Sequence, residues 1–124
     1  MHDPNISSFA EALVRLVRDR AIRNCDARLN PGTRSPIGKH WLAALNGKNP
    51  KTIGDIIIPD CVDEVIFCLL NAIDEGGLKL AYVSQNGKIV DLSEGGLGEL
   101  AGWYMGADNW RDKFSSQRTN NYLT

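Results

Sequence analysis

Between Asp60 and Glu75 lie Val62, Val65, Ile66, Phe67, Leu69, Leu70 and Ile73, which leave a helix only a narrow polar strip. A helix apolar on nearly every side must be covered by other parts of the chain. The spacing therefore predicts a buried central helix that starts at Asp60 as N-cap and ends near Glu75, before Gly76-Gly77. The chain has 124 residues, a length that can bury about two-thirds of the surface exposed in its unfolded form. That suffices for a core without metal or disulfide, and one domain over 1–124 is expected.

Other elements follow from spacing and punctuation. Phe9, Leu13, Leu16, Val17 and Ala21 recur at helical intervals, with Arg15, Arg18, Asp19 and Arg23 on the other side. They predict a helix from 8 to about 28, capped at Ser7-Ser8 with Glu11 in the capping-box position. Ser35-Pro36 is a second start, with Ile37, Trp41, Leu42 and Leu45 as the apolar face and Asn46-Gly47 as the stop. Residues 52–58 carry Ile53, Ile56, Ile57 and Ile58 and fit a short strand or an extended anchor. Leu78–Gln85 and Lys88–Leu92 flank Asn86-Gly87, the favoured pair for a two-residue type I′ turn. That turn would set Val83 opposite Val90 and Ala81 opposite Leu92. A helix from Ser93 to about Met105, a short one through Trp110 and Phe114, and a frayed polar tail over 115–124 complete the expectation. The fold class is α+β: a mostly helical domain of four to five helices around a buried central helix, with one antiparallel hairpin.

No run reaches the ~18 apolar residues of a membrane span, and Met1-His2-Asp3-Pro4 does not begin a secretory signal. Cys25, Cys61 and Cys68 are an odd number without tight spacing. Cys61 and Cys68, about 10.5 Å apart along one helix, cannot bridge each other. They are expected as reduced core residues of a cytoplasmic protein. Net charge is −1 but unevenly placed: residues 1–51 carry +5, residues 52–100 carry −7 and residues 101–124 carry +1. Either the halves neutralise each other on packing, or an acidic face is displayed to a basic partner.

Motifs for chemistry are sparse. His40, with Cys25 or a carboxylate nearby, is the one candidate for activating a nucleophile. Three cysteines without a CxxC and two distant histidines give no zinc pattern, and no cofactor is expected. Glu94-Gly95-Gly96-Leu97-Gly98-Glu99 resembles a phosphate loop only in its glycines, because the flanking glutamates would repel an anion. Gly98, Gly102 and Gly106, four apart, form one helical stripe that suggests close approach of another backbone. The arginines of the first helix, interrupted by Asp19 and Asp26, fall short of a nucleic-acid stripe. Five of nine aromatics fall late, at Trp103, Tyr104, Trp110, Phe114 and Tyr122, and adjacent Trp103 and Tyr104 should not both point inward.

The expected function is a small protein-binding domain, by analogy an immunity-type or inhibitor protein, that neutralises a basic protein partner and contacts neither nucleic acid nor membrane. Its contact residues would be Asp60, Asp63, Glu64, Asp74, Glu75, Glu94, Glu99, Trp103 and Trp110. The alternatives are a small enzyme or ligand-binding domain around His40, and a homo-oligomer subunit joined through the glycine stripe.

Overall fold

The computed structural model describes residues 3–118. Helix accounts for 66% of the chain and the two described strands form one hairpin, so the α+β class holds. The chain begins with a continuous helical rod: α1 (Pro4–Ala12), a π-helical segment π1 (Leu13–Asp19) and α2 (Arg20–Leu29). Asp3, not Ser7 or Ser8, is its N-cap. The Asp3 carboxylate accepts from the Asn5 amide at 2.8 Å, with Pro4 in the first turn, where a missing N–H costs nothing. Next come α3 (Pro36–Leu45), π2 (Ile53–Ile57) and α4 (Ile58–Asp74). Residues 53–57 are thus helical rather than extended, and the central helix starts before Asp60. Local β-propensity yields here to the helical context, and Gly54 packs beside Leu29 and Asp26.

Strands β1 (Ala81–Val83) and β2 (Ile89–Asp91) pair Ala81 with Asp91, Tyr82 with Val90 and Val83 with Ile89. This is one residue off the expected register. The turn holds three residues between Ser84 and Lys88, and Gly87 sits at φ +83°. It is the three-residue type with a left-handed glycine, not type I′. A one-residue slip exchanges the faces. The exchange falls on β1: Tyr82 is half-buried against Phe9 and Val83 exposed, while on β2 Val90 is buried and Ile89 exposed as expected.

The expected helix over 93–105 is broken into α5 (Leu92–Gly95), α6 (Leu100–Gly102) and π3 (Trp103–Ala107), followed by α7 (Trp110–Phe114). Leu97 at φ 53° and Gly98 at φ 72° turn left-handed between them. No glycine stripe forms, and a Cβ added at Gly98 or Gly102 would meet nothing within 4 Å. Close approaches lie elsewhere: a Cβ would stand 2.6 Å from the Arg28 carbonyl at Gly38, 2.5 Å from the Leu92 carbonyl at Gly96 and 2.7 Å from Val90 Cγ2 at Gly95.

The core joins Ile6, Ala10, Leu13 and Val14 of the first rod to Ile66, Leu70 and Ile73 of α4, with Val90, Leu92, Leu100, Trp103, Tyr104 and Trp110 closing it. Trp103 and Tyr104 are both buried. In a π-helical turn the bonds run i to i+5, so each residue rotates the chain less and neighbours share a face. The same geometry buries Arg18 beside Asp19 in π1 and leaves Leu16 and Val17 exposed. The tail is anchored as far as Arg118, contrary to the frayed expectation. Ser115 and Ser116 bond Asp19, and Arg118 reaches Asp26 at 2.8 and 2.9 Å. Residues 119–124, with Tyr122, lie outside the described residues. Among the described residues, no helix is long and apolar enough to cross a membrane.

Candidate functional site

The expected acidic surface is not assembled as one face. Asp63 is 3% exposed and accepts from Arg18 Nε at 2.7 Å, Tyr104 OH at 2.5 Å and Arg111 Nη1 at 2.8 Å. It cannot meet a partner, because uncovering it would strand two guanidinium groups. Asp74 instead caps α6 from across the fold, accepting from the Leu100 and Ala101 amides at 3.0 Å each. Trp103 and Trp110 are core residues whose rings tilt together at 6.0 Å, and Trp110 Nε1 donates to Asp108 at 2.7 Å. Asp63 lies on the inward side of α4, Trp103 shares an inward face with Tyr104 in π3, and Trp110 opens α7 against the core, so the spacing of acids and aromatics does not report which of them are buried. Glu64 and Glu75 are exposed on α4 with Asp60 half-buried, whereas Glu94 and Glu99 are exposed on the separate α5–α6 stretch.

The Arg18–Asp63–Tyr104–Arg111 cluster holds four ionisable groups in the core, yet it is set for structure, not proton transfer. Burial, with the Asp63 charge and hydrogen bond added, pushes the Tyr104 hydroxyl far above its ordinary value. Burial, the largest single influence, would lower Arg18, but its hydrogen bond to Asp63 together with the charges of Asp63, Tyr104 and Asp19 outweighs that and holds it above its ordinary value. Arg18 also bonds Asp19, Ser115 Oγ and the Arg118 carbonyl, and Arg111 donates to Met105 O. Both carboxylate oxygens of Asp63 accept hydrogen bonds from buried donors, which commits it to the cluster. His40 is exposed on α3 and lines none of the grooves described below. Cys25 is half-buried and Cys61 and Cys68 are exposed, so two of the three thiols are not core residues. Among the described residues no three metal-binding side chains converge.

What the fold does assemble is an apolar groove. The rod and α4 run antiparallel: Arg18 meets Asp63, while Gly54 lies beside Asp26 and Leu29. Between them opens a groove of about 290 Å³ lined by Val17, Ala21 and Cys25 on one wall and Ile58, Cys61, Val62, Val65 and Ile66 on the other. A second groove of about 300 Å³, lined by Leu29, Trp41, Ala44, Leu45 and Ile53, shares Ile58 with the first. The apolar face therefore continues from α2 and α4 onto α3. Val65 is 69% and Val17 49% exposed, so large apolar side chains here face water. Glu64 on α4 and Glu75 just beyond its end are exposed, as are Arg20 and Arg23 on α2, and Arg23 lines a separate groove with Arg15, Leu16, Asp19 and Lys113. Burial pushes the Cys25 thiol up, and a hydrogen bond from Cys68 Sγ to Glu64 at 3.4 Å does the same for Cys68. Neither is poised as a nucleophile.

The groove was missed because α4 looked like one wholly buried helix. The signal available was quantitative: seven large apolar residues exceed what one buried stripe of a seventeen-residue helix can hide. Compared with known proteins, the chain matches no family model, no curated sequence and no solved structure.

Proposed function

We propose that the protein acts by docking a helix of another protein into the groove between α2 and α4. The observation that carries this reading is the continuous, water-facing apolar lining from Val17 and Val65 to Trp41, joined at Ile58. Contiguous apolar surface on a folded domain marks an interaction site, and a trough between two helices suits the apolar face of an amphipathic third. The lining is apolar throughout, so the occupant's apolar face is what the groove selects. A broad acidic plug loses support because Asp63 and Asp74 are committed internally.

The test uses a fluorescent model helix with leucines at i, i+3, i+4 and i+7 and lysines along one flank. Wild-type protein is expected to raise its anisotropy with a micromolar midpoint. Burying a valine is worth roughly 1.5–3 kcal/mol, so Val65→Asp should weaken binding at least about tenfold. Equal binding by wild type and variant, or no binding by either, rejects the groove as the docking site.

A further inference from the structure

A groove of about 530 Å³ opens where π1 and α2 meet α7, and it shares no lining residue with the apolar grooves. Its charged lining is Arg15, Asp19 and Arg23 from the rod and Lys113 from α7. By sequence Asp19 interrupts the arginines, but folding takes it out of their way. It is 1% exposed, and both its oxygens are engaged. Oδ1 accepts from Arg18 Nη1 at 3.2 Å and Ser115 Oγ at 2.8 Å, and Oδ2 from the Ser116 amide at 2.7 Å. Arg18 and Arg111 balance Asp19 and Asp63, so the buried cluster to which Asp19 belongs is neutral. The charge left over the groove is that of Arg15, Arg23 and Lys113.

These cations are free to take an anion. Among the described residues Arg23 makes no ion pair. Arg15 ties the rod to α7: its Nε donates to the Phe114 carbonyl at 3.3 Å and its Nη1 to Glu11 at 2.8 Å, which holds the guanidinium in place and leaves Nη2 uncommitted. Lys113 lies 3.6 Å from Asp108. Both pairs reach solvent, where an ion pair contributes little, so neither Glu11 nor Asp108 holds its cation against a denser negative charge.

We infer that this groove binds the polyphosphate group of a small molecule. Eight residues set Arg15 and Arg23 about 12 Å apart along the rod, a span that suits two or three linked phosphates better than one. Arginine forks match phosphate oxygens in pairs, and lysine adds a point charge. The volume is that of a small-molecule site, and a net charge of −1 is far from that of a nucleic-acid track. A neighbouring recess of about 250 Å³ shares Arg15 and Leu16 and adds Tyr82 and Gln85, a ring and an amide suited to a nucleobase. Inorganic polyphosphate fills the groove alone, whereas a nucleotide fills the recess as well.

The experiment is isothermal titration calorimetry at low salt on wild type, Arg23→Gln, Lys113→Gln and Arg20→Gln. The probes are tripolyphosphate, magnesium-free ATP, citrate and an oligothymidylate of about 12 nucleotides. Circular dichroism checks each variant's fold, since all three positions are exposed. Arg20 lines neither the groove nor the recess, so Arg20→Gln changes the net charge and leaves the site intact. Wild type should bind tripolyphosphate with a dissociation constant below about 1 mM. Arg23→Gln and Lys113→Gln should each weaken it about fivefold or more, and Arg20→Gln less than about twofold. ATP binding tighter than tripolyphosphate assigns the group to a nucleotide, and ATP binding no tighter assigns it to inorganic polyphosphate. The inference is overturned by four results: no binding of either phosphate, a loss in Arg20→Gln equal to that in Arg23→Gln, citrate as tight as tripolyphosphate, or the oligonucleotide tighter than both.

Discussion

Asp63→Asn removes one charge from the core while changing almost no volume, which makes it the cleanest probe of the buried cluster. In the native chain Asp63 neutralises Arg18 at 2.7 Å and Arg111 at 2.8 Å and accepts from Tyr104 at 2.5 Å. Arg18 is fully buried and Arg111 is 5% exposed, so neither can turn to water. After the substitution no charge at position 63 offsets Arg18 and Arg111, and Asp19, the other carboxylate on Arg18, is already held by Ser115 and Ser116. Removing one partner of a buried pair costs about 3–5 kcal/mol, against about 6–19 kcal/mol for a domain of this length. With an unfolding entropy of about 260 cal/mol/K for a chain this size, the melting temperature should fall by roughly 15 °C. Thermal and urea unfolding followed by circular dichroism measure it. The loss should persist in 0.5 M salt (about 4 Å screening length), because screening barely reaches a desolvated pair. The companion Arg18→Met/Asp63→Leu/Arg111→Met should lie within about 2 kcal/mol of wild type, since an apolar cluster can replace an ionic one. A cost below about 1 kcal/mol for Asp63→Asn would mean that the guanidinium groups are hydrated, refuting the sealed core described here.

Three further outcomes follow from the geometry. Gly95→Ala should cost about 1–3 kcal/mol, because its Cβ would press on Val90 and Ile6, whereas Gly102→Ala should be neutral or gain up to ~1 kcal/mol by helix propensity; chemical denaturation compares them. Asp74→Ala should cost about 1–2 kcal/mol and raise amide exchange at Leu100 and Ala101, whose N–H groups it caps. Iodoacetamide should alkylate Cys68 slowly at pH 8 and faster in Glu64→Gln, because the bond to Glu64 raises the thiol's pKa and keeps its thiolate scarce; mass spectrometry of the modified peptide gives both rates.

Sequence spacing carried the helices and the hairpin but not their faces, and the reason is local. The rod and the region before α4 each contain a π segment, and nothing in Leu13–Asp19 or Ile53–Ile57 marks a wider turn. Once the rotation per residue drops, Leu16 and Val17 leave the core and Arg18 and Asp19 enter it. Asn86-Gly87 supports a two- or a three-residue turn equally, since both place glycine left-handed. The choice falls to Tyr82, which packs on Phe9 at 5.6 Å between ring centres and bonds Ser8 at 3.0 Å. Those contacts span 74 positions of sequence and are invisible from the hairpin alone. Asp63 was legible as one of several acids, but its partners come from π1, π3 and α7, so only the assembled fold separates it from Glu64, one residue away.

The uneven charge of the chain links the core to the groove. Part of it is consumed inside: Arg18 from the basic first segment and Arg111 from the last both neutralise Asp63 of the acidic middle, and Arg118 spans Asp26 at 2.8 Å and Asp55 at 3.9 Å. These pairs join all three charge segments by packing. The rod turns Arg18 inward and leaves Arg20 and Arg23 exposed, and the α4 turn that buries Asp63 leaves Glu64 exposed. The same pairing sets the rod and α4 antiparallel and side by side, with the apolar groove between them. If that pairing holds the groove's two walls, Asp63→Asn should weaken binding of the model helix as well as folding, even at temperatures where the variant is fully helical. Unchanged binding by Asp63→Asn would separate the two and leave the groove independent of the core's charges.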